Sequence, residues 1–332
     1  MNKTTLEKTI ARLTDPPRGI LAADESVPTC NKRFEALGIP ATEENRRKYR
    51  ELLFTTPGLE DYISGVIFFD ETIRQKTADG KSFISVLESK GIEVGIKVDH
   101  GLEDLSGRAG EKITKGLEGL AGRMKEYKTM NATFAKWRSV YSAGENTPSA
   151  ECMEKNASIL AEYSLRCQAE DIVPIIEPEV LIDGEHSIDE CYEATSRNLD
   201  TIFLVFKKSE IFLPGVILKT SMVMSGKDAK EKAPKEKVAK LTLKCLKEHV
   251  PKDIGAIVFL SGGQSEEEAT EHLDLMHKTG PLPWNLTFSY SRALQNSVLK
   301  YWAQNPSDIA RAQKLLLEAA KRNSLASIGK YK

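Results

Sequence analysis

The chain carries almost no net charge: 47 lysines and arginines stand against 48 aspartates and glutamates, a formal charge of -1. With neither sign in excess there is no bulk attraction to nucleic acid or to an anionic membrane, so the expected partner is a small molecule. Long apolar runs are also missing. Even the best strand-like segments are broken by Gly, Pro or a charge within a few residues, far short of a membrane span. The opening segment 1–10 is polar, lacks the apolar stretch of a signal peptide and reads as a short helical lead-in. Cysteine is sparse. Cys30, Cys152, Cys167, Cys191 and Cys245 are odd in number, widely spaced and free of any C-x-x-C pair. That pattern excludes a disulfide framework and a thiolate zinc site and points to a reducing, cytoplasmic setting. The five histidines, His100, His186, His249, His272 and His277, make no H-x-H or H-E-x-x-H pair, so no metal centre is expected. No repeat, low-complexity tract or linker interrupts the chain, and the Lys/Glu-rich segment 226–237 is mixed in sign and reads as a solvated loop leading into a helix.

What is present is an alternation. Strand-like runs at 19–24, 66–69, 93–99, 134–138, 173–179, 215–223, 256–262 and 286–291 are separated by helical patterns at about 43–55, 82–90, 112–128, 148–170, 187–208, 235–249, 293–303 and 307–324. Thr147-Pro148 marks one helix start and Ser265 with Glu268, a capping box, marks another. Eight strands with intervening helices in 332 residues predict an α/β fold, a single (β/α)8 TIM barrel over 1–332. A doubly wound open sheet is the competing architecture, but it gathers its ligand residues at one switch point instead of after nearly every strand.

The strands carry charges they do not need for folding, always near their carboxyl ends. Lys219 sits in the apolar run Val216–Val223, Asp24 ends Gly19–Asp24, and three other runs contain Lys97 with Asp99, Lys136 with Arg138, and Glu177 with Glu179. Residues two apart share a strand face, so each of these pairs points one way. Isolated buried charges are costly, and bringing opposite signs together offsets part of that cost, which predicts one convergent polar centre. Burial disfavours the charged form of a lysine, so a lysine in such a run suits Schiff-base chemistry; the plainer reading is a side chain snorkelling to water. After the seventh strand, Ser261-Gly262-Gly263 offers a turn and helix start, and after the eighth come Ser291 and Arg292. Loops at these two places of a barrel commonly cradle a phosphate with backbone N–H groups and a guanidinium.

Taken together, Gly19–Ser26, Ile96–Asp99, Phe134–Arg138, Glu177–Glu179, Ile217–Lys219, Leu260–Glu268 and Phe288–Leu294 resemble the class I fructose-1,6-bisphosphate aldolases, in family order and over nearly the whole chain. The resemblance implies reversible cleavage of fructose 1,6-bisphosphate to two triose phosphates. Lys219 would form the imine, Glu177 would handle carbinolamine dehydration, and Asp24 would take the C4 hydroxyl proton. Lys136 would be a cation beside the nucleophile, and Glu179 a carboxylate of the same network. Ser261, Gly262, Gly263, Ser291 and Arg292 would hold the C1 phosphate; Ser26, Lys32, Arg33 and Lys97 would bind the other phosphate or line its path, and Arg138 would also bind substrate. No external cofactor is implied, and a homo-oligomer is, tetrameric with a dimer as the alternative.

Three departures from the family pattern stand out. Ser291 replaces a customary glycine and puts a Cβ beside the phosphate, with weaker binding as the expectation. Pro28 and Thr29 alter the small-residue pattern after Ser26. The sequence ends at Lys332 without the tyrosine-ended tail common among eukaryotic members, leaving the proton donor to the enamine open between Tyr331, another acid and water. Another Schiff-base sugar-phosphate barrel, or a non-catalytic scaffold on the same fold, remain as alternative readings.

Overall fold

A computed structural model describes all 332 residues. Eight parallel strands close into a barrel in the order β1 (Gly19–Ala23), β2 (Ile63–Phe68), β3 (Glu93–Lys97), β6 (Phe134–Tyr141), β7 (Val173–Val180), β8 (Ile217–Thr220), β9 (Ala256–Phe259) and β10 (Leu286–Tyr290), the last returning to β1. The intervening β4 (Leu102–Asp104) and β5 (Lys112–Thr114) form a separate antiparallel hairpin between β3 and β6. The register is continuous across the charged strands: Arg138 pairs with Glu177 between β6 and β7, and Lys219 with Val258 between β8 and β9. Helices cover the outside, the longest being Ala150–Ala169, Ile188–Lys208 and Ile309–Ala326. Their buried residues recur at helical spacing, as in Cys191, Ala194, Thr195, Asn198, Leu199, Ile202, Phe203 and Phe206, and join the outer faces of the strands in the main core.

The inner face of the barrel is a second, smaller core. Ile20, Ala22, Ile67, Phe134, Val173, Ile175, Ile217, Ala256 and Val258 fill its amino end. The lead-in forms helix Lys3–Leu13, whose Leu6, Ile10 and Leu13 lie on one face and plug that end. Phe134 is the one aromatic ring among them. Its ring occupies the space that a Cβ on Gly95 would need, so a neighbouring strand must present glycine at that level.

The strands expected at 93–99, 215–223 and 256–262 are shorter, ending at Lys97, Thr220 and Phe259, although Val98, Met222, Val223 and Leu260 beyond those ends are still buried. The helix expected over 112–128 is confined to Leu120–Thr129, residues 112–114 being β5. Here a stretch with isolated apolar residues pairs as an edge hairpin. Helix Val27–Glu35 was not legible in the periodicity; two polar turns surround its buried Cys30 and Phe34. The expected start at Thr147-Pro148 shifts to Ser149, whose side chain accepts from the Cys152 N–H and caps Ala150–Ala169. The capping box of Ser265 and Glu268 forms as the sequence indicates.

Candidate active site

Parallel strands in a barrel present their carboxyl ends together, and the odd charges of the sequence meet there. The period of two carries an inward-facing position from apolar to charged along a single strand: Phe134 to Lys136 on β6, Ile175 to Glu177 on β7, Ile217 to Lys219 on β8, and Ala22 to Asp24 at the end of β1. Lys136 and Lys219 are each 3 % exposed, Glu177 4 % and Asp24 8 %, so these are interior charges.

They form one linked cluster. Lys136 Nζ lies 2.7 Å from Asp24 Oδ2 and 2.9 Å from Glu177 Oε2. The other oxygen of Glu177 lies 3.1 Å from Lys219 Nζ. Glu177 thus bridges two lysines, and its Oε2 contacts Lys136 as an ion pair without hydrogen-bond geometry. Beside them Arg138 Nε donates to Glu179 Oε2 at 2.6 Å. Burial pushes the Asp24 carboxyl up, but the Lys136 and Lys219 cations outweigh it and hold its pKa down at about 2. Burial likewise raises Glu177 and the same two cations more than reverse it. Lys136 is the converse: burial favours its neutral form, while Asp24, Glu177 and Asp99 outweigh that and keep it firmly protonated. Arg138 is held charged against burial by Glu179.

A cavity of about 160 Å³ opens onto this cluster. Of the expected residues, Asp24, Lys136, Arg138, Glu177, Glu179, Lys219, Ser261, Gly262, Ser291 and Arg292 line it. Its walls therefore hold three carboxylates (Asp24, Glu177, Glu179) and four cations (Lys136, Arg138, Lys219, Arg292), one cation in excess. Three of those cations have carboxylate partners. Arg292, exposed at the mouth, makes neither an ion pair nor a side-chain hydrogen bond and is the guanidinium left for an incoming anion. Gly262 lies beside it; a Cβ there would come within 3.0 Å of Glu179 Oε1 and 3.3 Å of Arg292 Nη2. Ser261 Oγ accepts from the N–H of Ala293, at the start of helix Arg292–Gln304, at 3.3 Å, which brings the β9 loop to a helix N-terminus.

Five expected residues stand outside this cavity. Ser26 bonds Thr29 through their hydroxyls, Lys32 is exposed, and Gly263 is exposed and lines an adjoining groove with Ile182 and Met224. Arg33 pairs with Glu25 and reaches Asn296 Oδ1 at 3.3 Å, and Lys97 pairs with Asp99. The plain pattern of charges could not show that Arg33 and Lys97 are already engaged. Sequence reasoning also passed over Glu25, Arg50 and Gln295. Arg50 is 2 % exposed and donates to Glu25 Oε2 at 2.7 Å, and Gln295 Nε2 donates to Ala22 O at 2.8 Å. The available signal was an arginine placed beside Tyr49, Leu53 and Phe54 on the apolar side of helix Glu43–Phe54. No group of three or more His, Cys, Asp or Glu side chains is arranged to hold a metal ion.

Comparison with known proteins agrees with this architecture in its fold. The chain is 50 % identical over 333 residues, covering 100 % of both chains, to a probable fructose-bisphosphate aldolase class 1 of Xanthomonas campestris pv. campestris. It is 48 % identical to fructose-bisphosphate aldolase 4, cytosolic, of Arabidopsis thaliana, over 97 % of this chain and 82 % of that one. Among solved structures, the fructose-bisphosphate aldolase of Plasmodium falciparum, in complex with TRAP and a small molecule inhibitor, superposes with a TM-score of 0.97 at 44 % identity, covering 99 % of this chain and 96 % of that one. The sequence profile described as fructose-bisphosphate aldolase class-I matches residues 5–332, and with these relatives it establishes that the chain belongs to the class-I fructose-bisphosphate aldolase family.

Proposed function

We propose that this chain performs the reaction of its family at the cluster around Lys219, cleaving fructose 1,6-bisphosphate reversibly into dihydroxyacetone phosphate and glyceraldehyde 3-phosphate. The observation that carries the assignment is the buried chain Asp24–Lys136–Glu177–Lys219 set beside an unpaired Arg292. Lys219 passes a proton to Glu177, the carboxylate 3.1 Å away, and adds as the free amine to the ketose carbonyl carbon, the proton on the new C–N nitrogen moving to the carbonyl oxygen to give the carbinolamine. Glu177 returns that proton to the carbinolamine hydroxyl, which leaves as water, and a protonated imine remains. Asp24, kept anionic by Lys136, takes the C4 hydroxyl proton as the C3–C4 electron pair moves into the iminium, releasing the aldehyde and leaving an enamine. Protonation at C3 and hydrolysis by water then free the second triose and regenerate the amine.

Arg292, Ser261, Gly262 and the helix start behind them suit the C1 phosphate, since a cation without a carboxylate partner and a helix N-terminus both favour an anion. Ser26, Lys32, Arg33 and Lys97 stand on the β1 and β3 sides of the same barrel end, and we assign them the other phosphate or its path, with Arg138 between the two. We read 1–332 as one barrel domain acting in the cytoplasm, which the five free thiols favour. The family resemblance suggests a homotetramer, which light scattering on the purified protein would report. The mechanism is tested by adding fructose 1,6-bisphosphate and borohydride. Irreversible inactivation with the reduced adduct on Lys219 is the expected result; an adduct on Lys136 alone would reassign the nucleophile.

A further inference from the structure

Ser291 sits where a helix is usually capped by its own serine, yet it does not cap. It is the residue before helix Arg292–Gln304, and its side chain accepts no hydrogen bond from a backbone N–H of that helix's first turn. The cap comes from elsewhere: Ser261 Oγ, on the loop after β9, accepts from the Ala293 N–H at 3.3 Å. The Ser291 hydroxyl is thereby free to turn away, and it donates to Glu25 Oε1 at 2.5 Å while accepting from Gln295 Nε2 at 3.2 Å.

Glu25 is a hub on the β1 loop, next in sequence to Asp24. Its carboxylate takes Arg33 on Oε1, with Ser291, and Arg50 on Oε2. Burial raises its pKa, but Arg50, Arg33 and the Ser291 hydrogen bond together hold it low, so the acceptor is an anion. Gln295 closes the ring by donating also to Ala22 O of β1 at 2.8 Å. The start of the helix is therefore tied on one side to the β9 loop through Ser261 and on the other to the β1 loop through Ser291. Arg292 lies between these two attachments with no ion pair or side-chain hydrogen bond of its own, so the placement of its backbone sets where its guanidinium can reach.

We infer that Ser291 is a positioning residue for the phosphate cradle: through its bond to Glu25 it holds the backbone from which Arg292 reaches the sugar phosphate. This rests on the assignment of Arg292 to phosphate given above. The side chain is then no obstruction in the cradle, as its Cβ alone would suggest, but a clamp directed out of it. A hydrogen bond to a buried anion is of the stronger kind, and a chain in which Gln295 donates to Ser291 and Ser291 to Glu25 polarises each member.

The test is a double-substitution cycle with Ser291→Ala and Arg292→Ala, measuring kcat and KM for fructose 1,6-bisphosphate, with Ser291→Thr as the variant that keeps a hydroxyl. Ser291→Ala should lower kcat/KM about tenfold with the loss in KM, Ser291→Thr should recover most of it, and Ser291→Ala should add little in the Arg292→Ala background. Full additivity of the two substitutions, or an unchanged KM in Ser291→Ala, overturns the inference while leaving the Arg292 assignment standing. If Arg292→Ala itself leaves KM unchanged, the underlying phosphate assignment fails instead. Should Ser291→Ala not fold, Ser291→Gly removes the same hydroxyl and is read by the same cycle.

Discussion

The two ends of the barrel interior are built from the same strands with opposite chemistry. At the amino end Phe134, Ile175, Ile217, Ile20 and Val258 pack against the plug of Leu6, Ile10 and Leu13 without a charge among them. Two residues further along, the same inward faces carry Lys136, Glu177 and Lys219, equally sealed from water. The amino end gains free energy by burying apolar area, about 1.5–3 kcal/mol for each large side chain. The carboxyl end gains little, because desolvating each ion costs about what its partners return. One half of the interior therefore holds the barrel shut, and the other is tolerated because the first half is stable enough to carry it.

That division can be broken from either side. Lys219→Met should lower kcat on the order of 10⁴-fold or more by deleting the nucleophile. Its stability should stay level or rise, since an apolar chain of similar volume replaces a buried ion and Glu177 keeps Lys136. Phe134→Ala is the mirror experiment. Removing a fully buried ring from the amino end should cost about 3–5 kcal/mol in urea unfolding while the folded fraction retains its turnover. If Lys219→Met proved the less stable of the two, the upper cluster would be holding the barrel together and the division would be wrong.

This division also explains what was legible in the sequence. A period of two with charges late in each strand exposed Lys219, Glu177, Asp24, Lys136 and Arg138, because an interior ion is conspicuous against Val, Ile and Leu. The eight-strand alternation was legible for the same reason: each strand is a dense apolar run between helical patterns. What the pattern could not supply was pairing. Arg33, Lys32 and Arg292 look alike as cations near glycine-rich or polar loops, yet Arg33 is consumed by Glu25, Lys32 faces solvent and only Arg292 waits at the cavity without a partner. Glu25 was hidden behind Asp24, and Arg50 behind the ordinary charge of a surface helix, since their partners lie 25 residues apart in the chain and 2.7 Å apart in space. The hairpin of β4 and β5 escaped because two three-residue strands at a barrel's rim carry too few positions to show a period.

Between the extremes lies the mouth of the cavity, where Arg292 serves ligand more than fold. Arg292→Ala should lower kcat/KM for the bisphosphate about tenfold to a hundredfold, the value of one charge-assisted phosphate contact, with its melting temperature nearly unmoved. Steady-state kinetics beside a thermal melt separates the two effects. A folded variant with unchanged kcat/KM would move the phosphate elsewhere, and a large fall in melting temperature would make Arg292 part of the structure after all.

Acid should sharpen the comparison further, because only the carboxyl end titrates. Asp24 is held at about 2 in the folded protein against an ordinary value of 3.8, by Lys136 and Lys219 and against burial. A depressed folded pKa means the unfolded chain takes up its proton first. The stability Asp24 contributes is therefore complete above about pH 4 and drains away as pH falls towards 2, by about 2 kcal/mol in all. Asp24→Asn removes that titration while leaving the amino-end core untouched. Urea unfolding of the two proteins between pH 5 and pH 2 should show the wild type losing about 2 kcal/mol more than the variant, all of the difference appearing below about pH 4. Parallel curves would mean that Asp24 is no better paired in the folded barrel than in the unfolded chain, and that its ion pair with Lys136 does not hold it charged.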